Sequence, residues 1–307
     1  LKNKGIYLGY MINKLLQVRL KRLPLDDRDS YINKRVDLPG DLLFELFKQQ
    51  YKKVMNECNK FFNNRTDDEN NPYNIIHQIK PNTIEQGLKA ALLTGSWIRR
   101  PGVAQMLQRL TYLQSIAFLR RIDAPSSDAS TSKLTSPRHL HPSSVPFLCP
   151  VQTPEHAKVG LTKHLTLISS ITIMDIDTYN FVREFLYQYE NIVDIGNIDP
   201  VKFKYMYKIF LNGEWIGLID GICKDNNINN IPAIKLYNEL YEKKINGSFN
   251  SEMFSVLIDH DKFEIRIYCD SGRLFRPVLK VGEDNKLILN KTHIDSFSLN
   301  KTNLNKI

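Results

Sequence analysis

Residues Arg120 to Leu161 read RRIDAPSSDASTSKLTSPRHLHPSSVPFLCPVQTPEHAKVGL, and the fold turns on this stretch. From Asp123 to Pro146 it is rich in Ser, Thr and Pro. Pro125, Pro137, Pro142 and Pro146 each lock a backbone angle and remove an N–H donor, which forbids a long helix. The stretch is therefore expected to be a loop joining two halves with different periods, helical before it and strand-like after it. The expected class is α+β: a largely helical region followed by a smaller mixed α+β module. Arg120 and Arg121 end the last helical period, and Lys133, Arg138, His139 and His141 follow on the loop. Such groups can donate to phosphate from a helix end and a loop, although a solvated basic loop would carry the same residue types.

Working toward the N-terminus, Leu8, Met11, Leu15 and Leu16 recur at helical spacing, and Leu42, Leu43, Leu46, Phe47, Val54, Cys58 and Phe61 do so on a second segment. Both stripes are expected to face a core. Between them Asp26-Asp27-Arg28-Asp29 and Lys34-Arg35 lie in a connector closed by Pro39-Gly40. Residues Arg65 to Asn71 are polar and turn-rich, and are expected to form an exposed loop. A third helix is signalled by Thr83 as N-cap, with Gln86 three positions on and Gly95 after its last turn. A fourth is expected from Val103 to Arg121, with Val103, Met106, Leu107, Leu110, Leu113 and Ala117 on its apolar face.

Toward the C-terminus the period becomes two. Strands are expected at Leu165 to Ile173, Lys208 to Leu211 and Trp215 to Leu218. A hairpin of Val256 to Ile258 with Phe263 to Tyr268 is expected around Asp259-His260-Asp261, and a helix at Ile231 to Lys244. The boundary between the halves falls near Ser170 to Asp175. Trp97 and Trp215 read as packing residues rather than base-stacking platforms.

The chain has 307 residues, 42% of them hydrophobic, enough for two domains with cores of their own. No run approaches the eighteen apolar residues of a membrane-spanning helix, and Leu1-Lys2-Asn3-Lys4 carries no secretory pattern, so an intracellular chain without a membrane partner is expected. The opening Leu and its helical pattern suggest an excerpt from a longer polypeptide. Four cysteines without a CxxC pair suggest buried thiols rather than disulfides or a zinc cluster. A net charge of +9 favours an anionic partner, but the basic residues are spread over the whole length. The interleaving of Asp26, Asp27 and Asp29 with Arg28, Lys34 and Arg35 suits an ion-pair network better than a metal site. No phosphate-cradling glycine loop or nucleophile elbow is present.

The order Arg120-Arg121-Ile122, Leu134, Pro137-Arg138-His139-Leu140-His141, Cys149-Pro150, Thr153-Pro154-Glu155, Gly160-Leu161 resembles the fork region of the second-largest subunit of multisubunit DNA-directed RNA polymerases, the counterpart of the bacterial β subunit. Asp26 to Arg35, with Asp37-Leu38 and Gly40, resembles the end of the lobe and the approach to the fork. Asn212-Gly213-Glu214-Trp215-Ile216-Gly217 and Asp270-Ser271-Gly272-Arg273-Leu274-Phe275-Arg276-Pro277 resemble signatures of the external region that follows. The likeness is to the eukaryotic, archaeal and large-DNA-virus type. It divides the chain into an end of lobe at 1–30, a fork region at 31–172 and an external α+β region at 173–307. Where the family has Glu-Thr-Pro-Glu-Gly, this chain has Gln152 before Thr153 and His156 after Glu155. The missing glycine puts the local turn geometry in question, because a β-carbon is strained in a left-handed turn.

The resemblance implies a part of a nucleotidyltransferase that positions template DNA and nascent RNA near the active centre and is not catalytic alone. Arg120, Arg121, Lys133 and Arg138 would contact phosphate, each adding about one unit to the salt slope. His139 and His141 would donate to a nucleic-acid backbone or to neighbouring loops, or else be satisfied core histidines. The Arg99-Arg100-Pro101-Gly102 turn would touch the hybrid or be solvated. Glu155 would orient a basic partner, and Asp26, Asp27, Arg28, Arg35, Arg273 and Arg276 would be structural. No catalytic or metal-ligating residue is expected in this segment, Mg2+ belonging mainly to the largest subunit. Partners would be that subunit, other polymerase subunits, template DNA and the RNA–DNA hybrid. The location would be a nucleus, or a cytoplasmic virus factory or virion for a viral protein. The competing reading is a degenerate paralogue that binds nucleic acid or acts as a scaffold without catalysis.

Overall fold

A computed structural model describes residues 2–63, 79–97, 101–123, 135–197, 202–222, 230–282, 285–289, 291 and 293. In chain order its elements are α1 (Lys2–Arg19), α2 (Pro39–Asn63), α3 (Pro81–Thr94), α4 (Tyr112–Leu119), β1 (Arg121–Asp123), β2 (Thr162–His164), β3 (Ser170–Ile171), α5 (Ile176–Gln188), β4 (Ile192–Val193), β5 (Met206–Leu211), β6 (Glu214–Asp220), α6 (Pro232–Ile245), β7 (Ser255–Asp259), β8 (Glu264–Tyr268) and β9 (Leu274–Phe275). Helices and mixed strands make this an α+β fold. No helix among the described residues is long and apolar enough to cross a membrane.

Five strands form one sheet in the order β4-β6-β5-β8-β7, antiparallel except for the parallel pair β5 and β8. Successive residues of a strand point to opposite faces, and both faces of β5 are covered. Tyr207, Ile209 and Leu211 join Val182 and Leu186 of α5 and Leu236 and Leu240 of α6 in one core. Met206 and Phe210 join Trp215 and Leu218 in a second core, which α1 closes with Ile6, Tyr7 and Tyr10. Helix α5 was not expected from the sequence. Asp175 caps it by accepting from the backbone N–H groups of Asp177 and Thr178 and from the Thr178 hydroxyl at 2.7 Å.

Helix α1 therefore turns a different face inward from the one its leucines suggest. Leu8, Met11, Leu15 and Leu16 are exposed, Leu15 at 69%, and the helix buries no residue fully. The inward face is aromatic because the sheet offers Trp215 and Phe210, and because Glu264 attracts polar partners. The Tyr10 hydroxyl donates to Glu264 Oε1 at 2.8 Å and Lys14 Nζ donates to the same oxygen at 2.9 Å. Trp97 and Trp215 are both buried, as packing residues should be.

Helix α2 starts at Pro39, as the connector-closing Pro-Gly implies, and buries Leu46, Val54 and Cys58, whereas Leu43 and Phe47 stay exposed. It packs on α3 through Leu46, Ala91 and Trp97. Thr83 does not cap α3. Pro81 supplies the first turn with its preset angle, Lys80 is the N-cap, and the Thr83 N–H already bonds to the Lys80 carbonyl. Gly95 ends the helix in the left-handed conformation, as expected. The expected long helix over Val103 to Arg121 shrinks to α4. Thr111 caps it by accepting from the Gln114 N–H, and the Gln114 side chain accepts from the Leu110 N–H. Ser115 donates to the Gln108 carbonyl. These side chains satisfy the backbone locally and compete with continuous helix. Met106, Leu110 and Leu113 are left exposed. The Arg65 to Asn71 loop lies outside the described residues, as does Cys223; Cys58 and Cys269 are buried, and Cys149 is half-buried.

Candidate nucleic-acid interface

Arg120 and Arg121 stand where α4 passes into β1, and β1 pairs antiparallel with β2 in the register Arg121↔His164, Ile122↔Lys163, Asp123↔Thr162. This short antiparallel pairing sets Asp123, two residues after the double arginine, opposite Thr162, whose carbonyl accepts from the Thr153 hydroxyl. Arg120 Nη2 donates to the carbonyls of Thr166, Leu167 and Ser169 at 2.7, 3.1 and 2.7 Å. The expected strand over Leu165 to Ile173 is broken here, because residues 166–169 wrap the guanidinium before β3 begins. The Arg121 guanidinium lies 4.5 Å from the centre of the Phe118 ring, and its buried Nε has no hydrogen-bond partner among the described residues. Burial, and next the charge of Arg121, lower the pKa of His164 against the opposing effect of a backbone hydrogen bond at Ala117, so His164 is neutral at neutral pH.

The turn is held from several sides. Arg138 Nη1 donates to the Ala157 and Val159 carbonyls at 2.7 and 2.9 Å. The Thr153 hydroxyl donates to the Thr162 carbonyl at 3.0 Å and accepts from the Gly160 N–H at 2.9 Å. Gly160 has φ +72°, and a β-carbon on it would lie 2.3 Å from the Arg138 carbonyl oxygen, so only glycine lets the two segments touch. Glu155 is exposed, in extended backbone just ahead of the turn.

His156 answers the question raised by the missing glycine: the left-handed geometry is kept, with φ +70°, despite the side chain. Replacing His156 with Gly is expected to stabilise the chain by about 0.5–1 kcal/mol, the relief of the strained residue exceeding glycine's extra unfolded-state entropy. Urea denaturation of the two forms checks this; an unchanged or lowered midpoint would show that the strain is already relieved by the His156 side chain.

His141 is tied down. Its Nε2 lies 2.8 Å from Asp27 Oδ2, and its Nδ1 lies 2.7 Å from Ser143 Oγ. His139 is exposed. Lys133 lies outside the described residues, as do Arg99 and Arg100.

Residues 26–37 form a strap from this hinge to the five-stranded sheet. The Tyr31 N–H donates to Ser143 Oγ at 3.0 Å, and Lys163 Nζ donates to the Tyr31 hydroxyl at 3.1 Å. At the other end the Val36 N–H donates to the Gly272 carbonyl at 2.8 Å. Gly272 has φ +82°, and a β-carbon there would meet the Val36 carbonyl oxygen at 2.4 Å, which explains a glycine in that signature. Arg35 Nε bonds Asp270 and stacks over the Tyr268 ring, while Arg273 Nε lies 3.0 Å from the other oxygen of Asp270. Arg273 also donates to the Met253 carbonyl, and Arg276 to the Pro146 carbonyl at 3.2 Å.

The three acidic residues of the connector do not converge. Asp26 pairs with Lys262 at 2.6 Å, Asp27 with His141, and Asp29 with Lys34 at 3.5 Å, while Arg28 stands exposed in the turn. Carboxylates directed at three separate side-chain partners cannot share one metal ion. Among the described residues no group of three or more His, Cys, Asp or Glu side chains could hold one.

Asp123 was missed by sequence reasoning. Its carboxylate gathers Gln105, Lys158 and Thr162, residues whose chain separation hides them from any motif.

Three family descriptions match in chain order: RNA polymerase Rpb2 domain 2 over residues 2–37, domain 3 over 105–171 and domain 4 over 209–282. The chain is 39% identical over 305 residues to "DNA-directed RNA polymerase subunit 2" of Acanthamoeba polyphaga mimivirus, covering 96% of this chain and 24% of that protein. The chain belongs to the second-subunit family of DNA-directed RNA polymerases. Within this family it is 36% identical over 299 residues to "DNA-directed RNA polymerase II subunit 2" of Arabidopsis thaliana, covering 95% of this chain and 23% of that protein. It is 29% identical over 297 residues to "DNA-directed RNA polymerase subunit Rpo2" of Saccharolobus solfataricus, covering 94% and 25%. The chain thus spans about a quarter of the length of these second-subunit relatives. The hinge from Arg120 to Leu161 lies inside the domain 3 match, the strap inside domain 2, and the Asn212 and Gly272 signatures inside domain 4.

Proposed function

We propose that this chain is the portion of a DNA-directed RNA polymerase second-largest subunit that positions template DNA and nascent RNA beside the active centre. In this reading residues 31–172 are the fork and 173–307 the external region. The observation that carries the proposal is that the β1–β2 pairing, the Arg138 bonds to the Ala157 and Val159 carbonyls and the Thr153 bond to Thr162 tie the end of the arginine strand, the Arg138 loop and the 153–160 turn together within a family-matched segment. Arg120 anchors the hinge, and Arg121, Lys133, Arg138 and His139 supply donors to phosphate. Such contacts position a duplex without reading its sequence.

Nucleotidyl transfer belongs to the assembled enzyme. Its Mg2+ is expected on the largest subunit. The exposed apolar side chains of α1 and of Met106, Leu110 and Leu113 suit contacts with that subunit and other polymerase parts.

The test is Arg121→Ala in the assembled polymerase. The salt dependence of nucleic-acid retention is expected to flatten by about one unit in the log–log slope. Retention and slope equal to the parent enzyme would count against the proposal.

A further inference from the structure

The three partners of Asp123 come from two separate stretches of chain, Gln105 from ahead of α4 and Lys158 and Thr162 from the turn and the β2 strand it leads into. Its Oδ1 accepts from Thr162 Oγ1 at 2.8 Å, and its Oδ2 accepts from Gln105 Nε2 at 2.7 Å and from Lys158 Nζ at 3.3 Å. The side chain is 15% exposed, while Lys158 is 56% exposed. Gln105 also donates to the Gly102 carbonyl, so the carboxylate reaches the Pro101-Gly102 turn through one more bond. Lys158 belongs to the turn that His156 enters in a strained conformation. Asp123 is the last residue of β1, immediately before residues 124–134. A single anion thus joins the end of the double-arginine strand to the turn at 153–160 and to the segment ahead of α4. Burial opposes its ionisation, but hydrogen bonds from Gln105 and Thr162 and the charge of Lys158 outweigh that and lower its pKa, so the anion persists well below neutral pH.

We infer that Asp123 is a positioning residue, a clasp whose ion pair with Lys158 sets the spacing between the arginine strand and the Thr153-Pro154-Glu155 turn and so controls how long the polymerase retains its nucleic acid. The inference rests on the proposed function of the hinge. A carboxylate that touched nucleic acid would repel it, so the effect of Asp123 passes through geometry. Its loss should shorten retention without removing a phosphate contact, and should leave the salt slope unchanged.

The experiment uses the assembled polymerase on a synthetic RNA–DNA scaffold, with complex lifetime measured over a range of salt and thermal stability measured in parallel. Asp123→Asn is expected to shorten the lifetime about tenfold, and Lys158→Ala about threefold, with unchanged slope and melting temperature. The charge-swapped pair Asp123→Lys with Lys158→Asp is expected to recover the lifetime to within about twofold. Lifetimes equal to the parent enzyme, a slope lowered by a full unit, or failure of the swap to recover would each overturn the inference. Should Asp123→Asn fail to assemble, the exposed Lys158→Ala decides alone. Arg121→Ala in the same assay separates the two ideas: if it flattens the slope while the Asp123 and Lys158 variants change nothing, only the clasp fails. If Arg121→Ala is also without effect, the positioning role of the hinge fails with it.

Discussion

Replacing Glu264 with Ala is expected to destabilise the chain by about 3–5 kcal/mol, because it removes the carboxylate that neutralises the buried Lys208 and the half-buried Lys14 and Arg266. Glu264 is 2% exposed and accepts from Tyr10 and Lys14 of α1 and from Arg266 Nε at 2.9 Å on its own strand. Lys208 lies close enough to feel its charge, and burial lowers the pKa of that lysine. Burial alone would raise the pKa of Glu264. The hydrogen bonds from Lys14, Arg266 and Tyr10 outweigh burial and hold it at about 2, against an ordinary 4.5. A carboxyl depressed in the folded state contributes stability that is fully present above its unfolded pKa and is lost as pH falls toward the folded one. The parent chain should therefore lose about 3 kcal/mol between pH 4.5 and pH 2 on account of this group. Glu264→Gln should abolish that acid limb while destabilising less than Ala at pH 7, since it keeps one acceptor. Denaturant titrations at a series of pH values check both expectations. An acid limb of the same size in the Gln variant would show that other carboxyls produce it.

Arg120→Ala is expected to lower stability by about 2–4 kcal/mol, as three carbonyls lose a shared charged donor. The carbonyls of Thr166, Leu167 and Ser169 surround one terminal nitrogen of the guanidinium, and the loop they form separates β2 from β3. The lysine ammonium carries three donors but sits one bond nearer the backbone on a flexible stem, so Arg120→Lys should recover only part of the loss. Arg121→Ala, which removes a stacking contact on Phe118, should cost about 1 kcal/mol or less. Denaturation midpoints test the order Ala below Lys below parent at position 120, and amide exchange at residues 165–170 should quicken in Arg120→Ala. Equal stability of the Arg120 and Arg121 variants would show that the three carbonyls find water or other donors.

Much of the second half was legible because its strands are short apolar runs bounded by turn residues that are locally sufficient. The strands at 206–211 and 214–220, the hairpin of 255–259 with 264–268 and the helix at 232–245 all follow from patterns spanning fewer than about fifteen residues. Helix α5 carries a local signal as well, the Asp175 cap followed by Thr178, Val182 and Leu186 at helical spacing. The failures share another cause. The leucine stripe of α1 and the apolar stripe from Val103 to Leu113 are genuine periodicities, yet both remain exposed, because a stripe states which side chains prefer burial and not which surface is present to bury them.

What the sequence determined by itself is the division into a helical and a mixed half, the proline-interrupted link between them, and the order of residues that marks the polymerase second subunit. Each depends on neighbours along the chain. Only the tertiary structure decided that α1 closes the far face of a sheet some two hundred residues away, that Arg120 holds carbonyls, that Asp27 meets His141, and that Asp123 collects Gln105, Lys158 and Thr162. Those contacts join segments with no common local pattern. Their partners are chosen by the burial of charge and the close approach of backbones, which exist only once the chain has folded.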